Sequence, residues 1–493
     1  MKMNSIMLIL IVMLVCLSAC NGLQPIENPN NNNGNNNTRE HASYYVEGIP
    51  LIEDAHVVYM NWDGFAYYYY DEFVRREVDN TMPTLKKLLS EGVIFENLRT
   101  TLPSITNPCQ NMILSGSTSA ITKNVYRYYD SKTNTVIQQS RENANKTIAD
   151  VAVESGMSVA SVSHYLLEPL LTKNISGTYY IVPDNTLPSV EARGSSKYGD
   201  GFSRFEQLIR LVKGETVNKV GLGSKQVKTL PKLIVLYIDD IDAVGHNETS
   251  VYGYKKAVSE EERMNNVLTL LNELDAKLGE FIQACKNKGI YDKMTFFLTT
   301  DHGMTPFGLS STSDKSDYGN SKLGELKSFL KRYNSKFEFE MVSPNASPKA
   351  ATTVVGVGAN LNIQLTWKKG ITDDELSNLK AALENEYYVG KVMIRKELSE
   401  AGYMDGAADM VISPSERYCF SKSLFATYIV RGQHDSMHDS SNRIYGIAWG
   451  KGIKKNYIYQ ETAYNYDLGV TMAASLGLVI PNANGVVLDI FER

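Results

Sequence analysis

Near-continuous apolar runs of strand length constrain this chain more than any other feature. His56-Val57-Val58-Tyr59-Met60, Lys232 to Ile238, Met294 to Leu298 and Ile444 to Trp449 are the clearest, and Val93 to Leu98 reads as one more strand. They lack the strict polar/apolar alternation of a strand with one wet face, so they read as strands buried on both sides. Met82 to Glu91 sets Leu85, Leu88 and Leu89 on one helical face, and Val258 to Lys288 reads as a long helix. Strands without a wet face need cover above and below. The expected architecture is therefore α/β: a doubly wound, mainly parallel sheet with helices on both faces. A chain of 493 residues with 43% hydrophobic content is ample for such a core.

Two stretches exceed a simple crossover, 130–231 and 307–431. Both read as insertions in a catalytic domain covering 45–493. The second contains Asn360 to Leu365, Asp373 to Glu386 and Lys391 to Ile394, a strand-helix-strand unit expected to form a smaller cap or edge subdomain.

Ahead of residue 45 the character changes. Met1-Lys2-Met3-Asn4 is a short, weakly basic opening, and the apolar run Ile6 to Leu17 is shorter than the ~20 residues a membrane span needs. Leu17-Ser18-Ala19-Cys20 resembles the bacterial lipoprotein cleavage box. That implies a signal peptide over 1–20, a lipid on Cys20, and an extracytoplasmic protein held to a membrane by this anchor. Cleavage after Ala19 without a lipid is the alternative. Residues 21–44, with an asparagine-rich stretch from Asn28 to Asn37, are too polar to bury and read as a flexible tether. The net charge of -5 offers no global basic field, so no nucleic-acid polymer is expected as ligand, while small anions remain open. Beyond Cys16 and Cys20, the remaining cysteines Cys109, Cys285 and Cys419 read as packing residues, with one disulfide as the alternative.

The chemistry sits where the strands end. His56 to Met60 runs into Asn61-Trp62-Asp63-Gly64, the Lys232 strand into Asp239-Asp240-Ile241-Asp242-Ala243-Val244-Gly245-His246, and the Met294 strand into Thr299-Thr300-Asp301-His302-Gly303-Met304. A later loop carries Gly432-Gln433-His434-Asp435. In open α/β sheets ligands bind at the carboxyl edge. Carboxylates gathered there without basic residues repel each other unless cations hold them. Asp and His donors, with a threonine oxygen, are a set that zinc accepts. Singly, each of these residues reads as a turn, a cap or a surface loop; the order is what carries the signal.

Together with Pro103-Ser104-Ile105-Thr106-Asn107-Pro108, the series resembles the type I phosphodiesterase/nucleotide pyrophosphatase branch of the alkaline phosphatase superfamily, over roughly Val57 to Gly452. The resemblance implies an alkaline phosphatase-like fold and a hydrolase of phosphodiester or pyrophosphate bonds in small phosphate esters. It also implies two zinc ions and a phospho-threonine intermediate on Thr106. It assigns Asp63, Thr106, Asp301 and His302 to one ion, and Asp242, His246 and His434 to the other. Thr106 opens a helix-like run, Pro108 to Leu114, where backbone N–H groups suit a phosphate.

There are departures. Cys109 stands where the family commonly has Asn, three residues after the nucleophile. The phosphate-binding Asn of the family falls, without gaps, on Arg127, or with a small shift on Asn124. Arg127 favours a more highly charged monoester, whereas the tyrosines Tyr67-Tyr68-Tyr69-Tyr70 and Tyr128 suit the second organic group of a diester. The tyrosine run also reads as a helix packed on the core, and His438 as a surface residue or a neighbour of the site. A phosphomonoesterase, a phosphonate hydrolase and an inactive lipid-anchored binding protein on the same scaffold are the competing readings. Sulfatase, serine-hydrolase and phosphate-loop motifs are absent.

Overall fold

The strand His56–Trp62 lies between two parallel neighbours, Leu233–Ile238 and Met294–Thr299, inside a ten-stranded sheet. Alternate side chains of a strand point to opposite faces. Val58, Met60, Ile234, Leu236, Phe296 and Leu298 accordingly join one core cluster, while Val57, Tyr59, Leu233, Val235 and Phe297 join another. Both faces are dry, so both residue sets must be apolar. Helices Gly201–Lys213 and Glu260–Asn287 cover the first face through Leu208, Leu211, Leu271 and Leu274. Helices Ile148–Glu154 and Asn465–Ser475 cover the second through Ile148, Ala152, Leu468 and Met472. The computed structural model describes residues 45–76, 81–183, 199–307, 321–358, 360–420 and 430–492. Cys20, the leader and the tether lie outside them. Among the described residues no helix is long and apolar enough to cross a membrane.

The sheet is mixed. Parallel order continues through Val159–Val162 and Thr178–Ile181. Gly446–Gly450, by contrast, runs antiparallel between Met294–Thr299 and Gly92–Phe95, and the hairpin Thr216–Lys219/Gly223–Gln226 closes one edge. Two expectations change here. The Val93 to Leu98 strand breaks after Phe95, and Leu98–Arg99 pairs instead with Ala463–Tyr464, because Glu96-Asn97 forms a turn. The stretch 130–231 is no separate insertion: it supplies four strands of the main sheet, short and interrupted by Ser, Thr and Asn, which hid them in the sequence.

The second long stretch does build its own layer. A five-stranded sheet in the order Phe339–Met341, Val354–Gly358, Ile363–Trp367, Met410–Pro414, Val389–Ile394 packs with helices Leu323–Tyr333 and Asp373–Leu383 around a separate cluster that includes Leu326, Leu330, Trp367, Leu376 and Leu379. Thr372 and Glu375 form a capping box that starts the second helix.

Candidate active site

Strand register delivers the acidic residues to one place. Trp62 pairs with Ile238 and Asn61 with Thr299, so Asp63, the Asp239-Asp240 step and Thr300-Asp301 emerge together from the carboxyl edge of the sheet. Gly64 then turns with φ 78°, and a Cβ on it would lie 2.8 Å from the Cα of Asp242. Only glycine tolerates both the left-handed turn and that approach. Asp242 and His246 sit four apart on the helix Asp240–His246, hence on one face, with His246 Nε2 3.2 Å from Asp242 Oδ2. Thr106 opens the helix Thr106–Ser115, where Pro108 occupies a first-turn position whose N–H has no helical partner. Arg431–Gln433 pairs with Thr305–Phe307, Gln433 opposite Thr305, which brings His434 back beside His302. Their rings stack with centroids 3.7 Å apart.

The residues gathered are Asp63, Thr106, Asp242, His246, Asp301, His302 and His434. His302 Nε2 lies 3.0 Å from Thr106 Oγ1, 3.4 Å from Asp63 Oδ1 and 3.5 Å from Asp301 Oδ2. His434 Nε2 is 3.9 Å from Asp242 Oδ1. Two triads could each hold a metal ion, Asp63-Asp301-His302 and Asp242-His302-His434, with His302 common to both. His246 faces Asp242 through its other carboxylate oxygen.

All three imidazoles are oriented alike. His246 Nδ1 is 2.9 Å from Gly432 O, His302 Nδ1 2.9 Å from Gly303 O and His434 Nδ1 2.9 Å from Ser104 O. Nδ1–H donation to a carbonyl leaves Nε2 as the lone-pair nitrogen on the side of the carboxylates, the arrangement of a metal-ligating histidine. The carboxylates match. Asp63 Oδ1, Asp242 Oδ1 and Asp301 Oδ2 are buried oxygens without a hydrogen-bond donor. The opposite oxygens of Asp63 and Asp301 are anchored, by Tyr237 Oη at 2.5 Å and Thr300 Oγ1 at 3.0 Å.

Electrostatics points the same way. Burial, reinforced by the Asp301 and Asp242 carboxylates, pushes Asp63 well above the usual carboxyl range. Burial also raises Asp242, but His246, His434 and His302 outweigh it and hold that carboxyl low. His246, despite burial, is raised to about 9 by Asp242, whereas burial and the neighbouring His302 depress His434. Without a cation the cluster must place protons on its own members; divalent ions would do that work, and the donor chemistry fits them.

A cavity of about 370 Å³ opens onto Thr106, Asp242, His246 and His434, and its further walls are Asn107, Tyr126, Glu248, Asn360 and Gln433. Asn124 does not face it: this buried amide donates to Glu142 O and Ser140 O, and its oxygen accepts from Tyr126 N–H. Arg127 stands behind the wall, donating to Gly358 O at 3.1 Å and to Gln138, with its guanidinium 4.7 Å from the Tyr126 ring centroid. Tyr126 itself, at φ 70°, is the residue presented. His438 Nε2 binds Pro414 O at 2.8 Å, away from the cavity walls, and Cys109 is buried beside Thr100 and Pro103. Tyr67, Tyr69 and Phe73 are buried in the helix Tyr67–Arg75, so the tyrosine run packs on the core. Sequence reasoning missed Tyr126, Glu248 and Asn360. Tyr126 immediately precedes Arg127, and Asn360 is the first residue of the strand expected over 360–365, but no motif marks either as a site residue.

The chain matches the type I phosphodiesterase/nucleotide pyrophosphatase family over residues 57–437. An uncharacterised pyrophosphatase/phosphodiesterase of Schizosaccharomyces pombe is 25% identical over 258 residues, an alignment spanning 51% of this chain and 45% of that relative. Among solved structures, murine ectonucleotide pyrophosphatase/phosphodiesterase 5 superposes with a TM-score of 0.59 at 16% identity, covering 89% of this chain and 100% of that one. The human protein of the same name gives 0.58 at 14% identity with the same coverage. An inactive threonine-to-alanine variant of the murine protein, solved in complex with AMP, also gives 0.58. With an α/β sheet that carries these acidic and imidazole groups at its carboxyl edge, the chain belongs to the type I phosphodiesterase/nucleotide pyrophosphatase family, whose members are hydrolases of phosphoric esters.

Proposed function

We propose that this chain hydrolyses the phosphodiester or pyrophosphate bond of a small ester, with Thr106 Oγ1 as nucleophile and two zinc ions as cofactors. Asp63, Thr106, Asp301 and His302 would hold one ion, and Asp242, His246 and His434 the other. The observation that carries this reading is the set of three buried, donorless carboxylate oxygens facing imidazoles whose Nδ1 atoms are tied to carbonyls. Zinc there would lower the pKa of the threonine hydroxyl and offset charge on the transferring phosphoryl group. Three imidazole donors favour zinc over magnesium, which takes oxygen ligands.

Thr106 gives up its proton to solvent and attacks phosphorus, forming the Oγ1–P bond. The P–O bond to the leaving group breaks, its electron pair stays on the departing oxygen, and that oxygen takes a proton from solvent. Water then attacks the phospho-threonine, which for a diester still carries the second organic group; a new P–O bond forms, the Oγ1–P bond breaks, one water proton restores the Thr106 hydroxyl and the other passes to solvent. Backbone N–H groups at the start of the Thr106–Ser115 helix would suit the phosphoryl oxygens. The inactive murine relative lacks one threonine and holds AMP, which suits a threonine nucleophile and a nucleotide-sized ester.

No lysine or arginine lines the cavity among the described residues, and Arg127 is engaged behind Tyr126. Among the described walls a second phosphate charge therefore meets no cationic side chain besides the metal centre, which favours diesters over monoesters. The sequence around Cys20 supports a lipid anchor that keeps the enzyme outside the cytoplasm at a bacterial membrane. Cys20→Ser should release the protein from the membrane fraction, and unchanged fractionation would remove the anchor.

Metal analysis and turnover test the central reading. The purified protein should hold two zinc ions per chain and cleave bis(nitrophenyl) phosphate, and Thr106→Ala should lower kcat by about three orders of magnitude or more while keeping most of the metal. A metal-free protein that turns over the diester at full rate would contradict it.

A further inference from the structure

Arg263, in the first turn of the helix Glu260–Asn287, is completely buried and does not line the cavity. A guanidinium in that position is costly unless its N–H groups are satisfied. Its Nε donates to Glu260 at 2.7 Å, and Nη2 to the same carboxylate at 2.6 Å and to Tyr68 Oη at 3.2 Å. Nη1 donates to Tyr69 Oη at 2.9 Å and to Gly245 O at 3.0 Å. Tyr68 Oη in turn donates to Met304 O at 2.8 Å.

The two carbonyls at the ends of this network are informative. Gly245 immediately precedes His246, and Met304 follows His302 by two residues. Both touch the third histidine-bearing segment. A Cβ on Gly432 would lie 2.4 Å from Gly245 O and 2.6 Å from Met304 Cγ, and Gly432 O accepts from His246 Nδ1. A Cβ on Gly245 would lie 3.1 Å from Met304 Cε and 3.2 Å from Tyr69 Oη. The His434 segment is thus held on the other two by the Thr305–Gln433 pairing and by Asn247 Nδ2 donating to Val430 O at 2.7 Å, while Arg263, Tyr68 and Tyr69 add directional bonds to the His246 and His302 segments.

We propose that Arg263 with Tyr68 and Tyr69 is a buried clamp that holds the His246 and His302 segments, against which the His434 segment packs, and so sets zinc affinity and the alignment of Thr106. This rests on the reading of the centre as a zinc site. The three are positioning residues: none reaches the cavity. The clamp gives a role to the tyrosine run beyond packing, since Tyr67 and Tyr70 lie on ring contacts while Tyr68 and Tyr69 carry the polar bonds.

The test compares Tyr68→Phe, which deletes one hydroxyl, with Arg263→Lys, which keeps the charge and loses the fork, and with Tyr70→Phe as a neighbouring control. Zinc affinity is read by competition with a chelator, the fold by the melting curve of the zinc-free protein, and kcat and KM with bis(nitrophenyl) phosphate. Tyr68→Phe should keep the zinc-free melting curve, bind zinc about 10-fold more weakly and lower kcat at unchanged KM. Arg263→Lys should shift affinity further, toward about 100-fold, and Tyr70→Phe should match wild type. Should Arg263→Lys fail to fold, Tyr68→Phe decides alone. Tyr68→Phe with wild-type zinc affinity and kcat overturns the clamp and leaves the zinc reading standing. A wild-type protein that takes up no zinc overturns that reading and the clamp with it.

Discussion

Gly64 shows how closely single residues control this centre. Its positive φ and the 2.8 Å approach to Asp242 leave no room for a Cβ. Gly64→Ala should cost about 1–2 kcal/mol in backbone strain alone and, by pushing Asp242 away from His246, should lower zinc affinity; urea unfolding and a chelator titration measure the two separately. On the substrate side the expectation separates neighbours. Tyr126 lines the cavity and Arg127 braces it. Tyr126→Ala should reduce kcat/KM for bis(nitrophenyl) phosphate about tenfold, the loss of one aromatic wall. Arg127→Ala should leave the diester-to-monoester ratio close to its wild-type value. A monoester preference abolished by Arg127→Ala would make this a phosphomonoesterase instead.

At the scale of elements, the Thr106–Ser115 helix is tied to the central strand by a buried polar chain. His164 Nε2 is 3.0 Å from Gln110 Oε1, Gln110 Nε2 donates to Asn61 Oδ1 at 2.9 Å, and Asn61 Nδ2 donates to Tyr59 Oη at 2.9 Å. Gln110 lies one turn after Thr106, and Asn61 two residues before Asp63. Burial depresses the His164 imidazole to about 3, and its Nδ1 has no partner. The unfolded chain, with an ordinary value near 6.5, binds that proton first. The His164 contribution is therefore fully present above about pH 6.5 and is lost as pH falls toward 3, at up to about 1.4 kcal/mol per unit. His164→Gln should flatten the acid side of the stability curve between pH 6 and 4, as read from urea midpoints; an unchanged slope would show that His164 does not titrate there. The elements themselves were unequally legible. The Leu233–Ile238 and Met294–Thr299 strands stand out because both faces are dry, whereas Val159–Val162 and Thr178–Ile181 are four residues each and carry Ser or Thr. Strand edges in the smaller sheet moved for the same reason: the strand expected from Asn360 begins at Ile363.

For the whole molecule, the site is made where distant segments converge, which explains what sequence could and could not show. Asp63, Asp242 and Asp301 were visible because each follows a strand whose register is imposed by the core. Asn360 was not, since it reaches the centre only because the smaller sheet lies against it, its amide 3.2 Å from His434 Nδ1. Asn124 was misread for a related reason: its hydrogen-bond partners lie in the 140–142 segment, which no local pattern reveals. Convergence would also make a bound metal a structural partner. Chelation should lower Tm by several degrees and zinc should restore it, because an ion bound only by the folded chain at a thousand times its Kd adds about 4 kcal/mol.

The most direct measurement is to quench the working enzyme in acid during turnover of a diester and locate the phosphoryl group by peptide mass spectrometry. A phosphoryl group on Thr106 that still carries the second organic substituent of the diester, absent from Thr106→Ala, is the predicted result. Phosphate on another residue, or none at any quench time while turnover proceeds, would contradict the account.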